Sequence, residues 1–308
     1  MRLVAVVGPT ATGKSALGLA LAEQFGGEIV SCDSTAVYRG LDIGTDKPSI
    51  DERGRIPHHL IDVADVRETY SAARYAIDAA AAIRAIVERG RLPILVGGTG
   101  FYYRALVRGL FPGPARHDGV RGRLDRVAAG RGVESLHRWL ARVDPESAAR
   151  IQPRDRKRLV RALEVYLLTG RPLTAQFSLT ASPIAEFDVL AFGVNLPRET
   201  LRERVARRVE AQFARGVVAE VEQLLEAGVP ADAHAFSGLV YRQILEMLQG
   251  ARDEQSTRDL IVRENMRYAR RQLAWFRKEP AVRWIGGPGE SRGVLDAAKA
   301  VLGSDPFL

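Results

Sequence analysis

Leu3-Val4-Ala5-Val6-Val7-Gly8-Pro9-Thr10-Ala11-Thr12-Gly13-Lys14-Ser15-Ala16-Leu17 decides the fold. Residues 3–7 are a short apolar run ending at a glycine, which predicts a buried strand. Residues 8–15 fit the pattern G-x-x-x-x-G-K-[ST] without a mismatch, and an apolar 3.6-residue period follows through Leu17, Leu21 and Phe25. A strand, this loop and then a helix are the context in which the motif holds phosphate. The glycines let backbone N–H groups face an anion, and the helix N-terminus adds partial positive charge. Lys14 adds a full charge, and Ser15 can ligate Mg²⁺. The motif does not say which phosphate is held. Most proteins with such a loop bind ATP or GTP, but the third strand ends without a carboxylate for magnesium.

Working outward, 28–31 predicts a second strand. Ser71 predicts the cap of an alanine-rich helix to about Arg89, stopped by Gly90. Leu92–Val96 predicts a third strand, ending in Gly97-Gly98-Thr99-Gly100. Strands alternating with helices predict an α/β fold with a parallel sheet, helices on both faces and ligands at the carboxyl ends of the strands. From Pro112 the pattern breaks into arginine-rich helices and turns, and strand character returns at 188–194. The expected division is a phosphate-loop core of 1–113 with 188–308 and a helical insertion of 114–187. Three closing helices are expected near 199–226, 239–248 and 257–277.

Asp33 directly follows the second strand. It can accept a proton from a nucleophile near the bound phosphate group, or it can organise an Asp–Ser turn. Thr99 can reach the same cleft or serve a tight turn. Lys47, in the polar segment 42–48, can reach phosphate or stay in a solvated loop. Arg154, Lys157, Arg158 and Arg161 recur at helical spacing opposite Leu159, Ala162, Leu163 and Tyr166. Arg263, Arg267, Arg270 and Arg271 form a second stripe. Such stripes track a phosphate backbone or simply face solvent. His58-His59 lacks metal-ligand spacing, and Trp139, Trp275 and Phe276 read as core.

The 308 residues are 46% hydrophobic and 27% charged, with a net charge of +8. That charge suits a polyanionic partner without proving one. Cys32 is the only cysteine, which excludes an internal disulfide. No apolar run is long enough to span a bilayer. A glycine loop follows the first apolar run in place of a cleavage site. These features favour a cytoplasmic protein, and the absence of an exposed heptad or dimer face favours a monomer.

Several segments, in order, resemble the tRNA dimethylallyltransferase (tRNA isopentenyl-diphosphate transferase) family. They are residues 8–15, Asp33-Ser34, 37–45, 57–62, 70–72 and 96–99. Arg158 with 161–166, Thr169-Gly170, Tyr241-Arg242-Gln243, 268–272 and 275–277 complete the set. Asp46, Arg154, Val240 and Met266 depart from the family pattern. The resemblance implies transfer of a dimethylallyl group from dimethylallyl diphosphate to N6 of adenine 37, beside the anticodon of tRNA. By similarity, Asp33 is the general base and Thr99 hydrogen-bonds in the reacting centre. Residues 8–15 hold the diphosphate with Mg²⁺ on Ser15, and Arg204 and Arg208 add contacts. The resemblance gives tRNA contacts to Asp33, Ser34, Thr35, Ala36, Thr99, Arg121, Lys157, Arg158, Leu159, Val160 and Arg161. Three alternatives stand beside it: a small-molecule kinase, a prenyltransferase acting on free AMP or ATP, and a non-catalytic RNA-binding protein.

Overall fold

The computed structural model describes residues 1–303. The chain divides into two compact units, Met1–Val107 with 183 onward, and Arg108–Ser182.

The first unit opens with β1 (Arg2–Val7), α1 (Lys14–Phe25), β2 (Gly27–Cys32), α2 (Ile50–Arg55), β3 (His58–His59), α3 (Ala72–Glu88), β4 (Leu92–Gly97) and α4 (Gly100–Val107). The second unit holds α5 (Asp118–Arg131), α6 (Val133–Val143), α7 (Pro145–Arg150), α8 (Arg156–Thr169) and α9 (Leu173–Gln176). The first unit resumes with β5 (Asp188–Asn195), α10 (Arg198–Ala214), α11 (Val217–Glu226), α12 (Tyr241–Leu248), α13 (Glu254–Phe276), β6 (Val282–Gly286) and α14 (Arg292–Gly303).

The six strands form one parallel sheet in the order β3-β2-β4-β1-β5-β6. Leu3 to Val7 are fully buried, as expected of a central strand covered on both faces. One apolar core joins Val4 and Val6 to Leu17 and Leu21 of α1, to Phe192 and Val194 of β5, and to Val294, Ala298 and Leu302 of α14. The Ser71 hydroxyl caps α3 by accepting from Arg74 N–H at 3.1 Å.

The structure differs from the expectation in three places. The segment 199–226 is two helices, because Gly216 takes a left-handed φ of 88° between them. A pair of late elements, β6 and α14, follows the expected last helix. In β6 only Val282 is buried, so this edge strand carries no apolar run, and Gly286-Gly287-Pro288-Gly289 reads as loop. The two-residue β3 is too short for any periodic signal. In the other direction, β4 lies between β1 and β2. In the sheet the end of β4, which leads to Thr99, therefore lies between the strand ends that carry the phosphate loop and Asp33, and all of them open on one cleft.

The second unit packs Leu124, Leu136, Leu140, Leu159 and Leu163 into its own core. Beside that core the fully buried Glu164 takes hydrogen bonds from Arg121, Arg161 and the His117 N–H. Burial raises its pKa, but the arginine and backbone donors outweigh it and bring it down to about 2.

Candidate active site

The phosphate loop sits at the carboxyl end of β1. Gly8 has φ of 135°, and a side chain there would press on the Val194 carbonyl. Gly13, the residue before α1, has φ of 87°, which glycine adopts without strain. The Thr12 hydroxyl donates to Pro9 O at 2.9 Å. Lys14 Nζ donates to the same oxygen at 2.5 Å. Burial, and then repulsion from Arg208, lower the Lys14 pKa to about 8, against an opposing pull from Asp33. An ammonium held this far below its ordinary value is poised to take an anion as counter-ion.

Asp33 begins the loop after β2. Its Oδ1 accepts from Thr35 N–H at 2.8 Å, Thr35 Oγ1 at 2.6 Å and Ala36 N–H at 3.3 Å. Oδ2 accepts no hydrogen bond among the described residues. One oxygen thus makes the Asp turn, and the other is unengaged. Thr99 is tied to the same loop: its N–H donates to Cys32 O at 3.1 Å, and its Oγ1 accepts from Ser34 N–H at 3.1 Å. Tyr268 of α13 lies beside Thr99, its pKa pushed up to about 12 by burial and by the Asp33 charge. Cys32 is fully buried, and burial pushes its thiol up to about 12, so it packs and is no nucleophile.

One face of α10 forms a basic wall. Arg204, Arg207, Arg208 and Arg215 line a cleft of about 900 Å³ together with Lys14, Asp33 and Ser15. Arg204 Nε donates to Ala11 O at 2.7 Å. Arg208 donates to Thr10 Oγ1 and to Thr45 O, each at 3.1 Å. Both arginines chosen from the sequence therefore touch the phosphate loop. Lys47 borders the cleft, but its side chain is almost wholly buried and its Nζ is held by Tyr38 O, Asp42 and Asp62.

Four residues that shape this cleft are not among the site residues expected from the sequence. Gln272 accepts from Thr10 N–H and donates to Gly98 O, each at 2.9 Å, joining the phosphate loop to the end of β4. Glu220 accepts from the N–H groups of Asp42, Ile43 and Gly44 and from Tyr241 Oη, and so fixes the loop over the cleft. Asp46 and Glu290 place carboxylates on the wall. Tyr268 and Gln272 stand within the segment 268–272 that resembles the family, the signal that pointed there.

The exposed Ser15 hydroxyl makes no hydrogen bond among the described residues. Among those residues no group of three or more His, Cys, Asp or Glu could hold a metal ion. A lone hydroxyl with a nearby carboxylate fits Mg²⁺ brought in on phosphate oxygens, since that ion commonly binds one or two protein oxygens plus substrate phosphates.

The stripe residues separate. In the second unit, Arg121 and Arg161 are engaged by Glu164, Arg158 pairs with Asp155, and Lys157 is exposed without an ion pair among the described residues. Leu159 and Val160, expected at an RNA surface, are buried in that unit's core at 0% and 6% exposure. Their side chains pack rather than reach a ligand. On α13, Arg263, Arg267 and Arg270 face a second cleft of about 1000 Å³ with Arg198, Arg202 and Arg277, whereas Arg271 lies over the Tyr268 ring. The four expected to share a face divide because α13 is packed on both sides. Arg198, Arg202, Arg263, Arg270 and Arg277 have no carboxylate partner among the described residues.

Comparison with known proteins agrees with this geometry. The family model described as IPP transferase matches residues 36–279. A tRNA dimethylallyltransferase of Geobacter metallireducens is 48% identical over 96% of this chain and 95% of its own length. That of Geobacter sulfurreducens is 43% identical over 98% and 97%. The full-length tRNA isopentenylpyrophosphate transferase of Bacillus halodurans superposes with a TM-score of 0.73 at 35% identity, over 98% of this chain and 95% of that one. A eukaryotic dimethylallyltransferase, in a crystallographic study of its action on tRNA, gives 0.80 at 25% identity, over 98% and 78%. With the family model spanning most of its residues and close relatives aligned along nearly all of them, the chain belongs to the IPP transferase family.

Proposed function

We propose that this chain is a tRNA prenyltransferase that moves a dimethylallyl group from dimethylallyl diphosphate to N6 of the adenine next to the anticodon. The observation that carries the chemistry is the pairing of an anion-holding loop with an Asp33 carboxylate whose Oδ2 is unengaged. The N6 lone pair attacks C1 of the dimethylallyl group, the C1–O bond breaks, and the displaced electron pair leaves on diphosphate. The proton lost by N6 passes to Asp33 Oδ2. Lys14 and the α1 N-terminus stabilise charge on the departing diphosphate, with Arg204 and Arg208 added from α10. Bound Mg²⁺, held by Ser15 and the diphosphate, would supply further charge neutralisation. Thr99 and Tyr268 orient the reacting edge. The adenine must leave its stack to reach this depth, as enzymes that modify bases require.

Bond breaking at carbon also accounts for a third strand without a magnesium-binding carboxylate, since no water is aimed at phosphorus. A kinase acting on a small acceptor has no use for the unpaired arginines on α10 and α13. We assign these to the tRNA backbone, together with Lys157 and Arg158 of the second unit, which we read as the tRNA-clamping insertion. We propose that it acts in the cytoplasm and as a monomer.

Radiolabelled dimethylallyl diphosphate offered with Mg²⁺, tRNA and AMP tests the reading. Label enters tRNA; label in AMP alone would move the chain to the free-nucleotide branch, and no label in either, with ADP formed once ATP and a small acceptor are supplied, would make it a kinase.

Two expected outcomes follow from the charges. Diphosphate binds the ammonium form of Lys14, which is nearly complete a pH unit below its pKa of about 8 and lost above it. Diphosphate affinity is therefore flat below about 8 and falls by up to about tenfold per unit above it, until the pKa of the bound state is passed. Titration calorimetry between pH 7 and 9.5 reads it, and a flat profile contradicts the Lys14 contact. Affinity for tRNA falls with salt. The five unpaired arginines alone contribute a slope of about −3.5 in log K against log[salt], at about −0.7 per contact. A slope near zero removes them from the interface.

A further inference from the structure

The two guanidinium groups that touch the phosphate loop are already matched with carboxylates of the chain itself. Arg204 pairs with Glu290 Oε1 at 2.5 Å, and Arg208 Nε faces Asp46 Oδ2 at 3.5 Å. Glu290 belongs to the loop after β6, which is fastened to the phosphate loop by Gly289 N–H donating to Thr12 O at 2.8 Å. Its second oxygen, Oε2, lies so close to Gly13 that a Cβ there would collide with it. A carboxylate therefore stands at the N-terminal end of α1, where a phosphate oxygen is also stabilised. Asp46 hangs over the other side of the cleft. Its Oδ1 accepts from Arg215 at 2.7 Å, and its backbone holds a left-handed φ of 57°. Both carboxylates are near 40% exposed (44% for Glu290, 40% for Asp46), so either can swing into solvent without disturbing the core. The backbone acceptors Ala11 O and Thr45 O keep the guanidinium groups in place when their carboxylates leave.

We propose that Asp46 and Glu290 are internal counter-ions that occupy Arg208 and Arg204 in the free protein and are displaced by the donor's diphosphate. Binding is then an exchange of anions. Two carboxylate–guanidinium pairs open as the diphosphate pairs form, and the same pairs close as the product diphosphate leaves. The device weakens diphosphate binding and hastens its release. This inference rests on the diphosphate reading of the cleft.

The direction of the effect separates this role from a structural one. Were the two acids needed to position the arginines, neutralising them would loosen diphosphate. Under exchange, neutralising them tightens it. Calorimetry with inorganic diphosphate and Mg²⁺ on the full chain is the test, with D46N, E290Q and the double variant. Each single variant tightens Kd about three- to fivefold and the pair about tenfold or more, and the inhibition constant of diphosphate in the transfer assay falls in parallel. A Kd unchanged or weakened in variants that melt like the parent overturns the exchange. Absence of saturable diphosphate binding by the unmodified chain is a different result, which sinks the diphosphate reading itself.

Discussion

Asp33→Asn lowers single-turnover prenyl transfer by about 10²–10⁴-fold, the usual contribution of a positioned base, and leaves tRNA affinity nearly unchanged. The asparagine is the more telling variant because of how the carboxylate is shared. Oδ1 is spent on the Thr35 and Ala36 donors, and an asparagine oxygen accepts the same bonds. The turn therefore survives, and only the proton acceptor is lost. Asp33→Ala removes both functions. It should be equally inactive and should also loosen the loop carrying Ser34, Thr35 and Ala36, with some loss of tRNA affinity. Turnover of Asp33→Asn close to that of the parent would remove Asp33 from proton transfer and leave it a turn residue. Chemical-quench kinetics with saturating donor, beside filter binding of tRNA, separates these outcomes.

Lys14→Ala lowers kcat/KM for the donor by about 10²–10³-fold, the range for removing one preorganised group from developing negative charge. Stability should not fall with activity. The Lys14 pKa drops from 10.5 to about 8 on folding, so the fold disfavours the ammonium. Between those values the unfolded chain binds the proton that the folded chain lacks, and stability rises with pH across that window. At pH 7 the folded protein carries a charge it would rather not hold. The alanine variant, relieved of it, melts at the same temperature or higher. A large loss of stability would mean that the Pro9 contact of Lys14 is structural, and normal donor kinetics would exclude Lys14 from the diphosphate site.

The parts of this arrangement that were legible in the chain are those written in local sequence. The strand at 3–7 and its phosphate loop combine an apolar run with glycines at set spacing. Both are local signals, and the loop's geometry follows from them. Asp33 and Thr99 are legible because each stands at a strand end, Asp33 directly after β2 and Thr99 two residues after β4. What local sequence does not carry is the order of strands. Placing β4 between β1 and β2 is a tertiary choice, and it puts the strand end that leads to Thr99 between those that carry the loop and Asp33. Arg204 and Arg208 came only from family likeness; the one-turn spacing that sets both against the phosphate loop is visible once α10 is packed. Gln272, Glu220 and Glu290 reach the site from 262, 178 and 86 positions away along the chain from Thr10, Asp42 and Arg204, and no spacing rule joins such pairs. Leu159 and Val160 show the converse. A segment that matches the family as a block includes residues that face its own core, and only burial tells them from their exposed neighbours Lys157 and Arg158. In β6 an edge strand with exposed Arg283 and Trp284 has no apolar pattern to read.

The central claim is that this cleft prenylates one adenine of tRNA at N6. The most direct test is a single-turnover reaction with labelled dimethylallyl diphosphate on two transcripts that differ only at the position beside the anticodon, adenosine in one and guanosine in the other, followed by digestion to nucleosides. The account predicts label only from the adenosine transcript, recovered as N6-dimethylallyladenosine, with one diphosphate released per label. Equal label in both transcripts, or none in either while the chain still binds donor and tRNA, would contradict it.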